Sequence, residues 1–121
     1  MKALTFYDVQ DLRYEEVADP AIEKDDDVIV KVKAVGICGS DIARYRNLGP
    51  YVKGNVWGHE FSGEVVQTGP AVTELKAGDR VVGCPNLVCH ECRYCKSGHP
   101  SRCESLNTIG AYVPGAFAEY I

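Results

Sequence analysis

The 121-residue chain lacks several features that would each point to a class of function. No apolar run approaches the roughly 20 residues needed to span a bilayer as a helix, which argues against a membrane partner. No Lys/Arg cluster occurs, and the net charge of −4 argues against nucleic acid or an acidic membrane surface as a partner. There is no internal repeat, no low-complexity tract and no G-x-G-x-x-G, the loop that opens a dinucleotide-binding βαβ unit. Met1-Lys2-Ala3 leads directly into LTFYDVQDLRYEEV with no apolar segment or cleavage site, so the expected compartment is the reducing cytoplasm. An apolar fraction of 45% and a charged fraction of 25% fit one globular domain with a core, and 12 glycines and 6 prolines suggest short strands and turns.

What is present is cysteine, in an unusual arrangement. Cys89, Cys92, Cys95 and Cys103 stand in CHECRYCKSGHPSRC with spacing C-x2-C-x2-C-x7-C. Three thiolates one turn apart can converge, and a fourth returning after a short loop closes the tetrahedron of a structural zinc site. Disulfides are the rival reading, but cysteines this close in sequence rarely meet bridge geometry. A closed four-thiolate site leaves no open position for chemistry. It would hold a loop-rich lobe together, because metal-binding free energy becomes folding free energy.

The rest of the chain reads as strands. Residues 1–6 and 12–17 form a candidate hairpin around Asp8-Val9-Gln10-Asp11, and Asp19-Pro20 stops it. Asp25-Asp26-Asp27 reads as a solvated turn. Residues 28–34 alternate Val28, Val30, Val32 and Ala34 with Ile29, Lys31 and Lys33, which predicts one buried and one wet face. Ser40 is placed to cap a short helix through Ile42 to Arg46, with Asp41 in its first turn. Further strands are expected over 61–68, 80–83 and 116–121, with turns at Lys76-Ala77-Gly78-Asp79 and Gly110. The expected architecture is mainly β, a partly open barrel with short helices and a zinc-bearing excursion over about residues 84–104.

Cys38 and His59 lie outside the four-cysteine lobe, in Gly36-Ile37-Cys38-Gly39-Ser40-Asp41 and Gly58-His59-Glu60-Phe61-Ser62-Gly63. Singly, each is more often a packed or hydrogen-bonded side chain than a ligand. Together, with hydroxyl and carboxylate neighbours, they look like two ligands of an open zinc site, and Asp41 and Glu60 are natural partners for a ligating histidine. The pattern is not the H-E-x-x-H of a metalloprotease, since Gly63 stands at the second histidine position. Cys84 reads as a small packed residue, and His90 and His99 as surface loop residues. Trp57 and Tyr51 fit a substrate pocket, core, or a domain-facing patch equally well.

Those two stretches, with Gly69, Gly78-Asp79-Arg80-Val81, the four-cysteine lobe and Gly115-Ala116-Phe117-Ala118-Glu119-Tyr120, resemble zinc-containing medium-chain alcohol/polyol dehydrogenases along the whole chain. The Cys-Gly-Ser-Asp and His-Glu-Phe-Ser-Gly forms look most like the branch with sorbitol and galactitol-phosphate dehydrogenases. The resemblance implies that residues 1–121 are one GroES-like catalytic domain. It implies Cys38 and His59 as catalytic zinc ligands, Ser40 as a proton relay, Asp41 as a support of the zinc environment and Glu60 beside the metal. Cys89, Cys92, Cys95 and Cys103 would hold the structural zinc. It also implies NAD or NADP, a Rossmann domain of the full-length chain as partner, a small alcohol or polyol substrate, homo-oligomeric assembly, and a third catalytic ligand beyond Ile121. The expected reaction is oxidation of a secondary alcohol to a ketone, with residues 1–121 alone inactive. The competing class is a zinc-stabilised binding or scaffold module without hydride transfer; retained Cys38, Ser40 and His59 favour the enzyme, because a scaffold needs only the four cysteines.

Overall fold

The computed structural model describes all residues from Met1 to Ile121. A hairpin opens the chain: β1 (Lys2–Asp8) pairs antiparallel with β2 (Asp11–Glu16), Lys2 opposite Glu16 and Phe6 opposite Leu12. β1 supplies much of the core through Ala3, Thr5 and Phe6. Phe6 meets Trp57 edge-on at 5.1 Å between ring centroids, the T-shaped geometry that aromatic quadrupoles favour.

β3 (Val28–Gly36) and β5 (Glu60–Thr68) form the longest pairing, from Val28 opposite Thr68 to Gly36 opposite Glu60, and β6 (Arg80–Val82) adds to the outer edge of β5. Strict alternation along β3 does not hold. The register shifts between Ile29 and Val30 and again between Val32 and Ala34, so Ile29 and Val30 are both buried and Ala34 is exposed. An extra residue in one strand breaks the period of two and bends the strand.

The last residues weld the two sheets. Phe117 and Lys2 carbonyls accept from Leu4 and Glu119 N–H, while Val30 and Ile121 exchange N–H···O bonds at 2.7 and 3.0 Å. The strand expected over 116–121 is thus a seam of bridges, Ala3 to Ala118 and Lys31 to Tyr120, rather than a regular strand. β1, this seam and β3 together close a barrel wall, and β4 (Asn55–Val56) pairs with β1 on the same edge as the seam, opposite β2. Val65, Val56 and Ala116 fill the interior.

Between β3 and β4 lies a short helix, α1 (Gly39–Ala43), continued by a π-helical turn, Arg44–Leu48, whose Arg44 carbonyl accepts from Gly49 N–H. The helix begins earlier than expected. Cys38, not Ser40, is its N-cap residue, and Asp41 reaches back to accept the Cys38 N–H at 2.8 Å. The cap is reciprocal in the sense of a capping box, so the carboxylate three residues into the helix decides where it starts.

The cysteine lobe has little core. It carries the strand pair β7 (Asn86–Leu87) and β8 (Asn107–Thr108), the single turn α2 (Arg93–Lys96) and a 3-10 turn, Pro100–Arg102. Between residues 84 and 104 only Cys103 is buried, too little apolar burial to order the lobe. Cys84 is exposed rather than packed: Gly83 before it still donates its N–H to the Phe61 carbonyl and lies against the Phe61 ring, and the chain runs on from there into the lobe. His90 and His99 are exposed.

Candidate metal centres and the cleft beside them

In the lobe the ligand sulfurs of Cys89, Cys92, Cys95 and Cys103 all lie within 4.8 Å of one another. Sulfur separations of 3.4 Å (Cys89–Cys103) and 4.0 Å (Cys89–Cys95) are far beyond a disulfide bond. They bracket the edge of about 3.8 Å that a regular tetrahedron has when each Zn–S bond is about 2.3 Å. All six cysteines are free thiols. Backbone N–H groups already aim at the cluster: Cys89 and Ser105 donate to Cys103 Sγ, and Cys92 donates to Cys89 Sγ. Backbone donors at Cys95 and Glu104 hold the Cys92 thiol down at about 6, and those of Cys89 and Ser105 lower Cys103. Desolvation, then the neighbouring thiols, push Cys95 up to about 12. Four sulfurs packed this closely, with N–H donors favouring the thiolate at Cys92 and Cys103, fit a divalent, sulfur-preferring ion.

The second centre is assembled by strand register. Gly36 ends β3 directly opposite Glu60 at the start of β5, so Cys38 follows one strand and His59 precedes the other. Ligand atoms of Cys38, His59 and Glu60 lie within 4.8 Å of one another. Two glycines make room. A Cβ on Gly36 would sit 2.5 Å from Glu60 Oε2, so the carboxylate folds over a bare backbone. Gly58 adopts φ +93° and packs against Phe117, turning the chain so that His59 faces the site.

Asp41 joins the two ligand segments. Its Oδ2 accepts the Cys38 N–H, and its Oδ1 stands 3.6 Å from His59 Nδ1. That distance is too long for a hydrogen bond. Oδ1 is the one buried side-chain oxygen or nitrogen without a hydrogen-bond partner, on a carboxylate whose side chain is 7% exposed. An orphan buried carboxylate oxygen is costly. A small turn of the His59 ring would satisfy it with Nδ1–H and commit the other ring nitrogen to a metal, the tautomer such partners enforce. A thiolate, an imidazole, a carboxylate and an unmet buried oxygen behind the imidazole fit an open zinc site with three protein ligands.

Beside this centre is a cleft of about 160 Å³ lined by Ser40, Arg44, Tyr51, Trp57, His59 and residues 108–112. Ser40 is exposed at its mouth. Trp57 is buried yet reaches the cleft, so it belongs to core and pocket wall at once, whereas Tyr51, stacked on it at 6.4 Å, is exposed and belongs to the pocket wall alone. Sequence reading did not find Arg44 or residues 108–112. For Arg44 the available signal is its place four residues after Ser40, hence on one helix face. Residues 108–112 carry no motif, and only the fold brings them there. A second, more apolar groove, partly exposed, runs over Leu12, Ile37, Ile42, Tyr45 and Phe117. No helix is long and apolar enough to cross a membrane.

Comparison with known proteins agrees with this geometry. Residues 24–121 match the family described as the alcohol dehydrogenase GroES-like domain. Sorbitol dehydrogenase of Bacillus subtilis strain 168 is 39% identical over 126 residues, covering 100% of this chain and 35% of that protein. Scyllo-inosose 3-dehydrogenase of Thermotoga maritima is 43% identical over 125 residues, covering 92% of this chain and 32% of that protein. The crystal structure of galactitol-1-phosphate dehydrogenase from Escherichia coli superposes with a TM-score of 0.95 at 37% identity, over 100% of this chain and 35% of that one. Among these and other curated relatives the chain spans between 28% and 42% of their length.

Proposed function

Because the chain belongs to the alcohol dehydrogenase GroES-like domain family, we propose that residues 1–121 are the catalytic domain of a zinc-dependent oxidoreductase. Its reaction is oxidation of a secondary alcohol, a polyol or polyol phosphate, to a ketone with NAD(P). The observation that carries this reading is the convergence of Cys38, His59 and Glu60 beside a cleft that also holds Ser40. A scaffold needs only the four-cysteine lobe. It gains nothing from a second donor set with a buried carboxylate behind it. The printed names of the relatives, sorbitol and galactitol-1-phosphate dehydrogenase among them, support a polyol.

Each residue has work to do. Cys38, His59 and Glu60 would hold the catalytic zinc. Asp41 would fix the His59 ring and the Cys38 backbone in one arrangement. When bound, zinc supplies Lewis-acid polarisation of the alcohol oxygen and the nicotinamide supplies the hydride acceptor. Ser40, at the cleft mouth and open to water, takes the hydroxyl proton and passes it outward. Trp57 and Tyr51 wall the cleft and limit how the substrate carbon can turn. Cys89, Cys92, Cys95 and Cys103 would hold a structural zinc. The nicotinamide would be held by a Rossmann unit seated on the apolar face of Ile37, Ile42 and Tyr45, which are 72%, 46% and 39% exposed.

The test is nicotinamide absorbance with the zinc-loaded full-length protein over a panel of polyols and polyol phosphates. Turnover that is abolished by chelation and by His59→Ala supports the reading. Silence on every alcohol, with two zinc ions bound, overturns it in favour of a scaffold.

A further inference from the structure

Arg44 is a charge without a counter-charge in the cleft. Its guanidinium lies 3.3 Å from the Tyr51 ring centroid, and its Nη1 donates to the Gly49 carbonyl at 2.9 Å. Stacking and that one hydrogen bond fix the head in place. A guanidinium has five N–H donors, so the other four have no protein acceptor. No carboxylate lies within ion-pairing distance, although five other cationic groups of the chain are so paired. The residue is half-buried and lines the same cleft as Ser40 and His59.

The neighbouring metal centre does not neutralise it. Cys38 as thiolate and Glu60 as carboxylate carry two negative charges, which balance one divalent ion. Asp41 adds a third negative charge, but it faces His59 and Cys38 rather than Arg44. Arg44 therefore has no direct ion-pair partner, and its head is held at fixed geometry by an aromatic platform. A planar fork of this kind pairs bidentately with phosphate or carboxylate oxygens.

We propose that Arg44 is a specificity-determining residue that recognises an anionic terminus on the polyol, a phosphate or a carboxylate, while the hydroxyl to be oxidised lies toward Ser40 and His59. This rests on the dehydrogenase reading. The aromatic wall of Tyr51, Tyr112 and Trp57 lines the same cleft: Tyr51 meets Tyr112 at 5.1 Å and Trp57 at 6.4 Å. It gives the carbon chain an apolar surface to run along and leaves the charged end to Arg44. A neutral polyol would leave the guanidinium stripped of part of its water with nothing in return, so the site discriminates against it.

The experiment uses the zinc-loaded full-length protein, wild type, Arg44→Gln and Arg44→Lys, with three substrates: a hexitol phosphate, a hexonate and the neutral hexitol. Losing a charge-assisted pair should cost Arg44→Gln about 10- to 100-fold in kcat/KM on its preferred anionic substrate, mainly through KM, while the neutral one is turned over as well as before or better. Arg44→Lys should recover part of the loss, since it restores charge but not the fork. The better of the two anionic substrates identifies the terminus. Calorimetric titration of the hexitol phosphate and the hexonate without cofactor repeats the comparison as binding, independent of turnover. Equal losses on neutral and anionic substrates would mean that Arg44 only braces Tyr51, and overturn the proposal. So would unchanged binding of both anions to Arg44→Gln. If no substrate turns over, the dehydrogenase reading falls, and the titrations still decide whether Arg44 binds the anion.

Discussion

Gly36→Ala probes the catalytic centre through a residue that ligates nothing. The added Cβ would stand 2.5 Å from Glu60 Oε2 and 3.2 Å from Glu60 Cβ, where ordinary contact begins at 3.4 Å. The carboxylate oxygen must therefore retreat by about 0.9 Å, the difference of those two values. A zinc–carboxylate bond is about 2.0–2.2 Å long and tolerates about 0.2 Å, so Glu60 leaves the coordination sphere or takes another rotamer. A displaced supporting group typically costs about 10- to 100-fold in metal affinity, and a misplacement of about 1 Å costs a similar factor in rate. Stability should barely change. Gly36 does not have positive φ, so alanine is accepted by the backbone. Its smaller unfolded-state entropy contributes about 0.4–1 kcal/mol against the tight contact with Glu60 Cβ.

The assay is zinc competition with a chromogenic chelator, on full-length protein, with a thermal melt alongside. One zinc should be released about 10- to 100-fold more easily while the four-cysteine zinc is retained and the melt is close to wild type. Adding Gly36→Ala to Glu60→Gln should cost little more than Glu60→Gln alone, because both act through one carboxylate. Wild-type affinity for both ions, with normal turnover, would refute Glu60 as a ligand. A large drop in melting temperature with normal metal affinity would show that the glycine serves packing alone.

Three further outcomes follow from the same geometry. Cys95→Ser should release one zinc and expose residues 84–104 to proteolysis while leaving the ion at Cys38 bound, read by metal analysis and limited digestion; retention of two ions contradicts the four-cysteine site. Ser40→Ala should lower kcat by about 10²-fold or more, the size of a lost proton-transfer step, with zinc content unchanged; loss of zinc would make Ser40 a structural residue instead. Asp41→Asn keeps an oxygen for the Cys38 N–H but removes the charge facing His59, so catalytic zinc should bind about tenfold or more weakly; equal affinity would show that the unmet oxygen has no part in ordering His59.

Much of this molecule is legible in its sequence because its chemistry sits in short motifs. The spacing of Cys89, Cys92, Cys95 and Cys103 is local, and a local loop brings four sulfurs within 4.8 Å. The hairpin of β1 and β2 and the strand after Glu60 are likewise marked by turn residues and β-branched runs. Alternation fails in β3 because its bulges depend on pairing with β5, which no single stretch records. Ser40 is a good cap by propensity, yet Cys38 occupies the cap because Asp41 is tied to the site across the chain. Cys84 is small and apolar in isolation, and its exposure depends on where the chain runs after β6, which no local motif records. Arg44 is an ordinary helix charge until Tyr51, seven residues later, comes to lie over it.

The proposed catalytic centre has no existence apart from the barrel wall. Cys38 and His59 are 21 positions apart in the chain, and no local turn could bring them together. What does so is the pairing of Gly36 with Glu60, the terminal rung of the β3–β5 ladder. A slip of that ladder by one residue would reverse the face on which Glu60 projects and replace the bare Gly36 opposite it by a side chain. Asp41 then clamps what the ladder delivers, by holding the Cys38 N–H with one oxygen and facing His59 with the other. The four-cysteine lobe is the opposite case, a site made by sequence neighbours with almost no core of its own. A metal bound there would order the lobe, whereas the barrel already orders the ligand set proposed for the second metal. Removing the lobe metal should therefore loosen structure, and removing the other should abolish activity while the barrel stays folded.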